Sequence, residues 1–282
     1  MSERLTFINF EIGNDSVLEI GGGVVPEMAQ AFGYELPDTP DVDNLGGLIA
    51  AVGPAKELQE NIGLVQEKLG TDNDAVGIAT DWVERTGLLL PVSRSYMDAE
   101  TDAELRNYDV AVITGGVRNW MMRRAERLLP DLGGVSRVAL VAGNRPMKTA
   151  EGPDVEEGMT EAEYMGSVIS NVLAGSGVDV ELVPVESQVG DEIMDVAAER
   201  IDATENVLVS SNAGAWVQNA GQLRRALRSM HDGFDETGNQ LFVVSDYFPV
   251  GTGKESTSTH QNPFTALGQI ARNAQELVRH QG

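Results

Sequence analysis

From Tyr108 onward the chain alternates between two kinds of hydrophobic pattern, and this alternation restricts the fold more than any other feature. Five short apolar runs, DVAVIT, VSRVALVAG, VDVELVPV, NVLVSSNA and QLFVVSDYF, read as strands. Between them lie RNWMMRRAERLLPDL, TEAEYMGSVISNVLAGSG, VGDEIMDVAAERIDA and NAGQLRRALRSMHDG, and FTALGQIARNAQELVRH closes the series; all five read as helices. Thr160 and Glu163 have the spacing of a capping box at the start of one of them. Strands buried on both faces and alternating with helices specify a parallel sheet, and the handedness of βαβ crossovers puts helices on both faces. The expected class is α/β: a Rossmann-like domain over residues 108–282.

Residues 1–107 are less regular and are expected to form a mainly helical N-terminal extension. LTFINFEI alternates like a strand, and EIGGGVVPEMAQAFGY leads toward a short helix. Leu58, Ile62, Val65 and Leu69 recur at helical spacing until Asp72 to Asp74 interrupt them. NDAVGIATDWVERTGLLL reads as a further helix. ELPDTPDVDN reads as a loop, and DAETDAELRNY as a short capped helix or a linker.

In a doubly wound sheet, ligands bind outside the carboxyl ends of the strands. Small and polar residues gather where the expected strands end: Gly115, Gly116 and Arg118; Gly143, Asn144 and Arg145; Glu186 and Ser187; Ser210, Ser211 and Asn212; and Ser245 with Asp246. Glycine lets backbone approach a ligand and leaves amides open at a helix start, although a βα turn also needs glycine for geometry alone. Arginine forks match carboxylates and phosphates. By position Arg118 and Arg145 are the ligand candidates, whereas Arg123 and Arg127 read as surface charges paired along a helix. Glu161, in the first turn of a helix, and Glu186, at a strand end, are the candidate catalytic or ligand-binding carboxylates; capping roles compete with both readings.

Several motifs fail. G-x-G-x-x-G is absent from the first βα turn. GTGKESTSTH is not a phosphate-binding P-loop, because Phe248 and Glu255 occupy its required Gly and Ser/Thr positions. That loop, with Lys254 and His260, reads as a surface loop or a lid. There is no cysteine, the three histidines are scattered, and no ligand spacing indicates a metal. The formal net charge of −24 repels nucleic acid and anionic membrane surfaces, so neither is an expected partner. With no signal-like start and no apolar window near the roughly 20 residues of a spanning helix, a cytoplasmic protein is expected. A small anionic or nucleotide-like molecule bound at the carboxyl edge of the sheet is the expected partner, and the N-terminal region could serve homo-oligomer formation or a protein partner.

The order of short motifs resembles the domain-of-unknown-function family that includes the SanA, ElyC and YdcF proteins. The resemblance rests on Gly115-Gly116, Arg124-Ala125, Ala142-Gly143-Asn144, Thr160-Glu161-Ala162, Gly177-Val178, Glu186-Ser187, Ser210-Ser211 and Arg225-Ala226, over about residues 108–278. It implies a Rossmann-like fold with a ligand cleft at the strand ends. S-adenosylmethionine is the cofactor implied, since YdcF-like proteins are associated with its binding. Two family features are missing. QVGDEIMD lacks the expected asparagine, and Asn212 and Gln218 stand in the segment where a histidine is expected. A non-catalytic interaction protein that keeps the fold, or a hydrolase or transferase acting on a phosphorylated small molecule, are the alternatives.

Overall fold

The computed structural model describes residues 8–11, 17–20, 63, 65–67, 69–85, 92–95, 107–188, 190–212, 215–232, 234, 241–246 and 267. The chain divides into two compact units. One comprises Met1–Leu90, Ala213–Gln218 and Tyr247–Gly282; the other comprises Pro91–Asn212 and Asn219–Asp246.

In the first unit, β1 (Ile8–Glu11) and β2 (Val17–Ile20) form an antiparallel pair in which Phe10 faces Leu18. Residues 63, 65–67 and 69 are helical. Gly70, at φ 89°, then takes the left-handed conformation that a side chain disfavours, and the chain turns there. Asp72 accepts a hydrogen bond from the Ala75 amide at 2.8 Å and so caps α1 (Asn73–Arg85). The GGG turn near residue 22, the loop with Lys254 and His260, and the DAETDAELRNY segment lie outside the described residues, as does the final helix apart from Leu267.

The second unit carries the sheet. Its elements are β3 (Ser93–Ser95), β4 (Tyr108–Thr114), α2 (Arg118–Leu128) and β5 (Val135–Gly143). There follow α3 (Glu161–Tyr164), one π-helical turn over Met165–Ile169, and α4 (Ser170–Ala174). Then come β6 (Asp179–Val185), α5 (Gly190–Ala198), β7 (Val207–Asn212), α6 (Trp216–Met230), of which Asn219–Met230 belong to this unit, and β8 (Leu241–Asp246). The strand order is β3-β8-β7-β4-β5-β6, with β4 to β8 all parallel and β3 antiparallel at one edge. The fold is the expected Rossmann-like α/β class. The antiparallel edge strand comes from a segment that the sequence pattern assigned to the helical extension. Three residues are too few for a period of two to register.

The order shows where the sheet reverses. From β4 the chain winds outward through β5 to β6, then returns to place β7 on the other side of β4. The gap between the ends of β4 and β7 is therefore the topological switch point. Apolar packing holds the strands there. On one face Ala111, Ile113, Leu140, Ala142, Leu208 and Phe242 meet Met121, Ala125 and Leu128 of α2 and Ile169 and Leu173 from the helical segments after β5. Each such side chain, fully buried, contributes about 1.5–3 kcal/mol, with alanine contributing less. β6 is the other edge strand; Leu182 is exposed, and Pro184 removes one amide from the line available for pairing.

Glycine at 143 has a packing cause. A Cβ there would run into the Ser187 carbonyl oxygen and come within 3.3 Å of Ile193 Cδ1. Gly133, by contrast, has open space around it. Gly143→Ala is expected to destabilise the protein by about 1–3 kcal/mol in urea unfolding, while Gly133→Ala stays within about 0.5 kcal/mol. Equal effects of the two would refute the close-approach explanation.

Candidate functional site

The end of β4 shows how this sequence builds the switch point. Val117, at the N-cap of α2, supplies no side-chain cap, and the first turn of α2 has no acidic residue. The cap comes from a distant segment: Glu151 Oε2 accepts the Arg118 amide hydrogen at 3.0 Å. The same carboxylate receives Arg145 Nη1 at 3.0 Å and the Lys148 amide at 3.1 Å. A helix N-terminus favours an anion because its amides and its dipole point outward. Here that anion is a side chain of the protein itself.

Arg118 and Arg145, the two ligand candidates, spend their forks on carboxylates. Arg118 pairs with Asp154 through both Nε and Nη2, the latter at 2.9 Å, and Tyr164 donates its hydroxyl to the same carboxylate at 2.9 Å. Gly152 is what lets the Arg118 side chain lie there, since a Cβ at that position would strike it. Arg145 bridges Glu151 and Glu161 and donates Nη2 to the Gly116 carbonyl at 3.1 Å.

Arg124, read from sequence as one of the arginines after the Gly-Gly turn and in the Arg-Ala match, is the centre of the switch point. It is 3% exposed. Its Nε donates to Asn212 Oδ1 at 2.7 Å, and its Nη1 lies within 2.7 Å of the Thr114 and Gly115 carbonyl oxygens. The guanidinium also sits 5.8 Å from the Trp120 ring centre. Ser210 donates to the Arg124 carbonyl at 2.7 Å, and Ser211 accepts from Asn219 at 2.8 Å. Ser210, Ser211 and Asn212 are all buried. Among the described residues they tie β7 to α2 and α6 through these bonds, where the sequence had placed them as cleft-lining groups.

The remaining candidates divide by exposure. Glu186 and Asn144 are both exposed, and Asn144 Nδ2 approaches Glu186 Oε2 at 3.4 Å. Glu161 is 5% exposed and rests against Gly115, where a Cβ would come within 2.6 Å of its Oε2. The cap of its helix is separate: Thr160 and Glu163 form the expected capping box, with the Thr160 amide to Glu163 Oε2 at 2.7 Å. Thus Gly115, Arg145 and Glu161 are brought together, Arg118 and Gly116 adjoin them, Ser210 and Asn212 bond the buried arginine, and Ser211 bonds Asn219. Sequence reading missed Glu151, Asp154 and Tyr164; the first two lie in a stretch without periodicity, and no local signal marks them.

The charges set distinct proton affinities. The Arg118 guanidinium holds Asp154 below the ordinary carboxylate range, and Asp154 in turn raises Arg118. Burial pushes Glu151 up, but Arg145 and the two amides outweigh it, so its net direction is down. Burial pushes Glu161 up, and Arg145 only partly opposes this. Arg145 itself is raised, because its carboxylate partners overcome its own burial. The two directions in this pair are compatible, since the Glu161 side chain is 7% exposed against 29% for Arg145. Burial, then the Asp154 hydrogen bond, raise the Tyr164 hydroxyl. No cluster of three or more potential metal-ligating side chains occurs among the described residues. None of their helices is long and apolar enough to cross a membrane.

Two outcomes follow. Arg124→Met leaves the Asn212 side chain and two carbonyls without their donor, and each unsatisfied buried group costs about 1–3 kcal/mol. Urea unfolding is expected to show a loss of at least about 2 kcal/mol, and a loss below about 0.5 kcal/mol would contradict the locking role. Asp154, depressed in the folded state, contributes stability that is present above its unfolded value of about 3.9 and is lost as pH falls through the folded value. Asp154→Asn should therefore lower stability at pH 7 and flatten its decline in acid; an unchanged pH profile would count against the pairing.

No protein-family model matches the chain, and no curated protein and no solved structure matches it.

Proposed function

We propose that the chain is a small-ligand-binding α/β protein of the cytoplasm, with its site at the carboxyl edge of the parallel sheet beside the β4–β7 switch point. The ligand is nucleoside-like and neutral or cationic overall, and S-adenosylmethionine, whose ammonium and sulfonium groups outweigh its one carboxylate, fits that description. The observation that carries the reading is the pairing of Arg118 and Arg145 with Asp154, Glu151 and Glu161 at the switch-point turn. Three carboxylates balance the guanidinium groups of Arg118, Arg124 and Arg145, so the turn offers an anion no net charge. The formal charge of −24 adds a repulsive field. A phosphorylated substrate, as the hydrolase or transferase alternative requires, is disfavoured on both counts. The resemblance to SanA, ElyC and YdcF proteins supports the same location and the same ligand class, and belongs to this proposal.

A second reading has its own observation. Arg124, Ser210, Ser211 and Asn212 are committed to internal hydrogen bonds, as suits a non-catalytic interaction protein that kept the fold. Thermal denaturation separates the two. At a ligand concentration tenfold above Kd, stabilisation is about 1.4 kcal/mol, or about 3–6 °C in a chain of this size. S-adenosylmethionine or adenosine at millimolar concentration is expected to raise Tm by that much, while ATP and inorganic phosphate do not. No shift with either nucleoside would favour the interaction protein, and a shift with phosphate alone would overturn the charge argument.

A further inference from the structure

Glu161 presents an asymmetry that the network around it does not resolve. Its Oε1 accepts from Arg145 Nε, whereas its Oε2 accepts no hydrogen bond among the described residues. The residue is 5% exposed. Oε2 is not among the fully buried polar atoms that lack a partner, so it keeps a narrow contact with solvent through which a donor can reach it. The oxygen lies over the Cα of Gly115, where any side chain would come within 2.6 Å of it. Neighbouring acceptors are already used: the Gly115 carbonyl takes Arg124 Nη1 at 2.7 Å, and the Gly116 carbonyl takes Arg145 Nη2 at 3.1 Å. Among the described residues at the end of β4, Oε2 is thus an acceptor without a protein donor.

We infer that Glu161 Oε2 receives a hydrogen bond from a donor group of the ligand, an amine or a hydroxyl brought in over Gly115. This rests on the ligand-site reading above and gives it a chemical specificity. The charged groups facing Glu161 are Arg145 from the loop after β5, Arg124 from α2 and Glu151 from the segment before α3. Arg145 meets only Oε1 and spends its other nitrogens on Glu151 and Gly116, and Arg124 bonds Asn212, Thr114 and Gly115, so neither is bonded to Oε2. A ligand phosphate would set oxygen against oxygen here, whereas an ammonium or ribose hydroxyl would complete the set. Burial also raises the proton affinity of Glu161, which suits a carboxyl group that shares a proton with its ligand. Glu161 is accordingly a ligand-contacting residue, with Arg145 as the positioning residue that fixes its other oxygen.

The test uses the full chain labelled with 13C at the glutamate side-chain carboxyl. The Glu161 signal is identified by its loss in E161Q, or by through-bond assignment of the wild type should that variant not fold. Methylammonium, which carries N–H donors, is expected to shift the signal saturably. Tetramethylammonium at equal ionic strength has the same charge and no donor, and should leave it in place. Equal responses, or none, overturn the inference. In a second arm S-adenosylmethionine is expected to shift the same signal and to bind E161Q about 10- to 100-fold more weakly than the wild type. Binding that leaves the signal and the affinity unchanged also overturns the inference, while the site reading survives. If methylammonium shifts the signal and S-adenosylmethionine does not, the acceptor role stands and the nucleoside reading fails.

Discussion

The buried guanidinium of Arg124 is the interaction on which the carboxyl edge of this sheet depends. A cation at 3% exposure is tolerable only when its donors are met. Meeting them forces the end of β4, the end of β7 and the first turns of α2 into one arrangement. Thr114 and Asn212 belong to adjacent parallel strands, and a doubly wound sheet ordinarily opens between such ends. Here a side chain fastens them. Asn212 and Ser210 then stay small and polar because a helix, through its arginine and a carbonyl, demands it.

A second layer of charge lies over that lock. Arg118 and Arg145 reach toward the same edge, and each meets acid from the segment that joins β5 to α3. The segment supplies Glu151 and Asp154 to the arginines and Glu151 to the start of α2. Pairs this exposed contribute little individually, about 0–1 kcal/mol each. Their effect is geometric: they fix which oxygens and which amides remain available. Glu161 differs from its neighbours because burial, rather than pairing, dominates its environment. One edge therefore holds carboxylates of opposite tendency, two depressed by arginine and amide donors and one raised by lost water.

The five parallel strands of the sheet were legible because apolar runs bounded by polar turns leave few alternatives; VSRVALVAG coincides with β5 residue for residue. The capping box at Thr160 was legible because both its partners lie within one turn. The partners of the arginines were not. Asp154 is 36 positions from Arg118, in a loop whose composition reads only as polar. Gly115, Arg145 and Glu161 were each named from sequence as ligand-site residues, but their mutual contact is a tertiary fact. The internal bonds of Ser210, Ser211 and Asn212 were hidden for a similar reason. Polar residues at a strand end look the same in sequence whether they face a ligand or a buried arginine. Arg124 was obscured by its position among Arg123 and Arg127 on one helix, where charge suggests solvent.

The internal cap on α2 has an implication for how such a protein changes over time. Many βα turns of this kind leave their amides to be filled by a ligand, which couples the foldedness of the edge to the supply of that ligand. With Glu151 in that position, the start of α2 is capped without a ligand. Selection can then alter what the site holds, or abandon it, without first securing the scaffold, because the scaffold carries its own counterion.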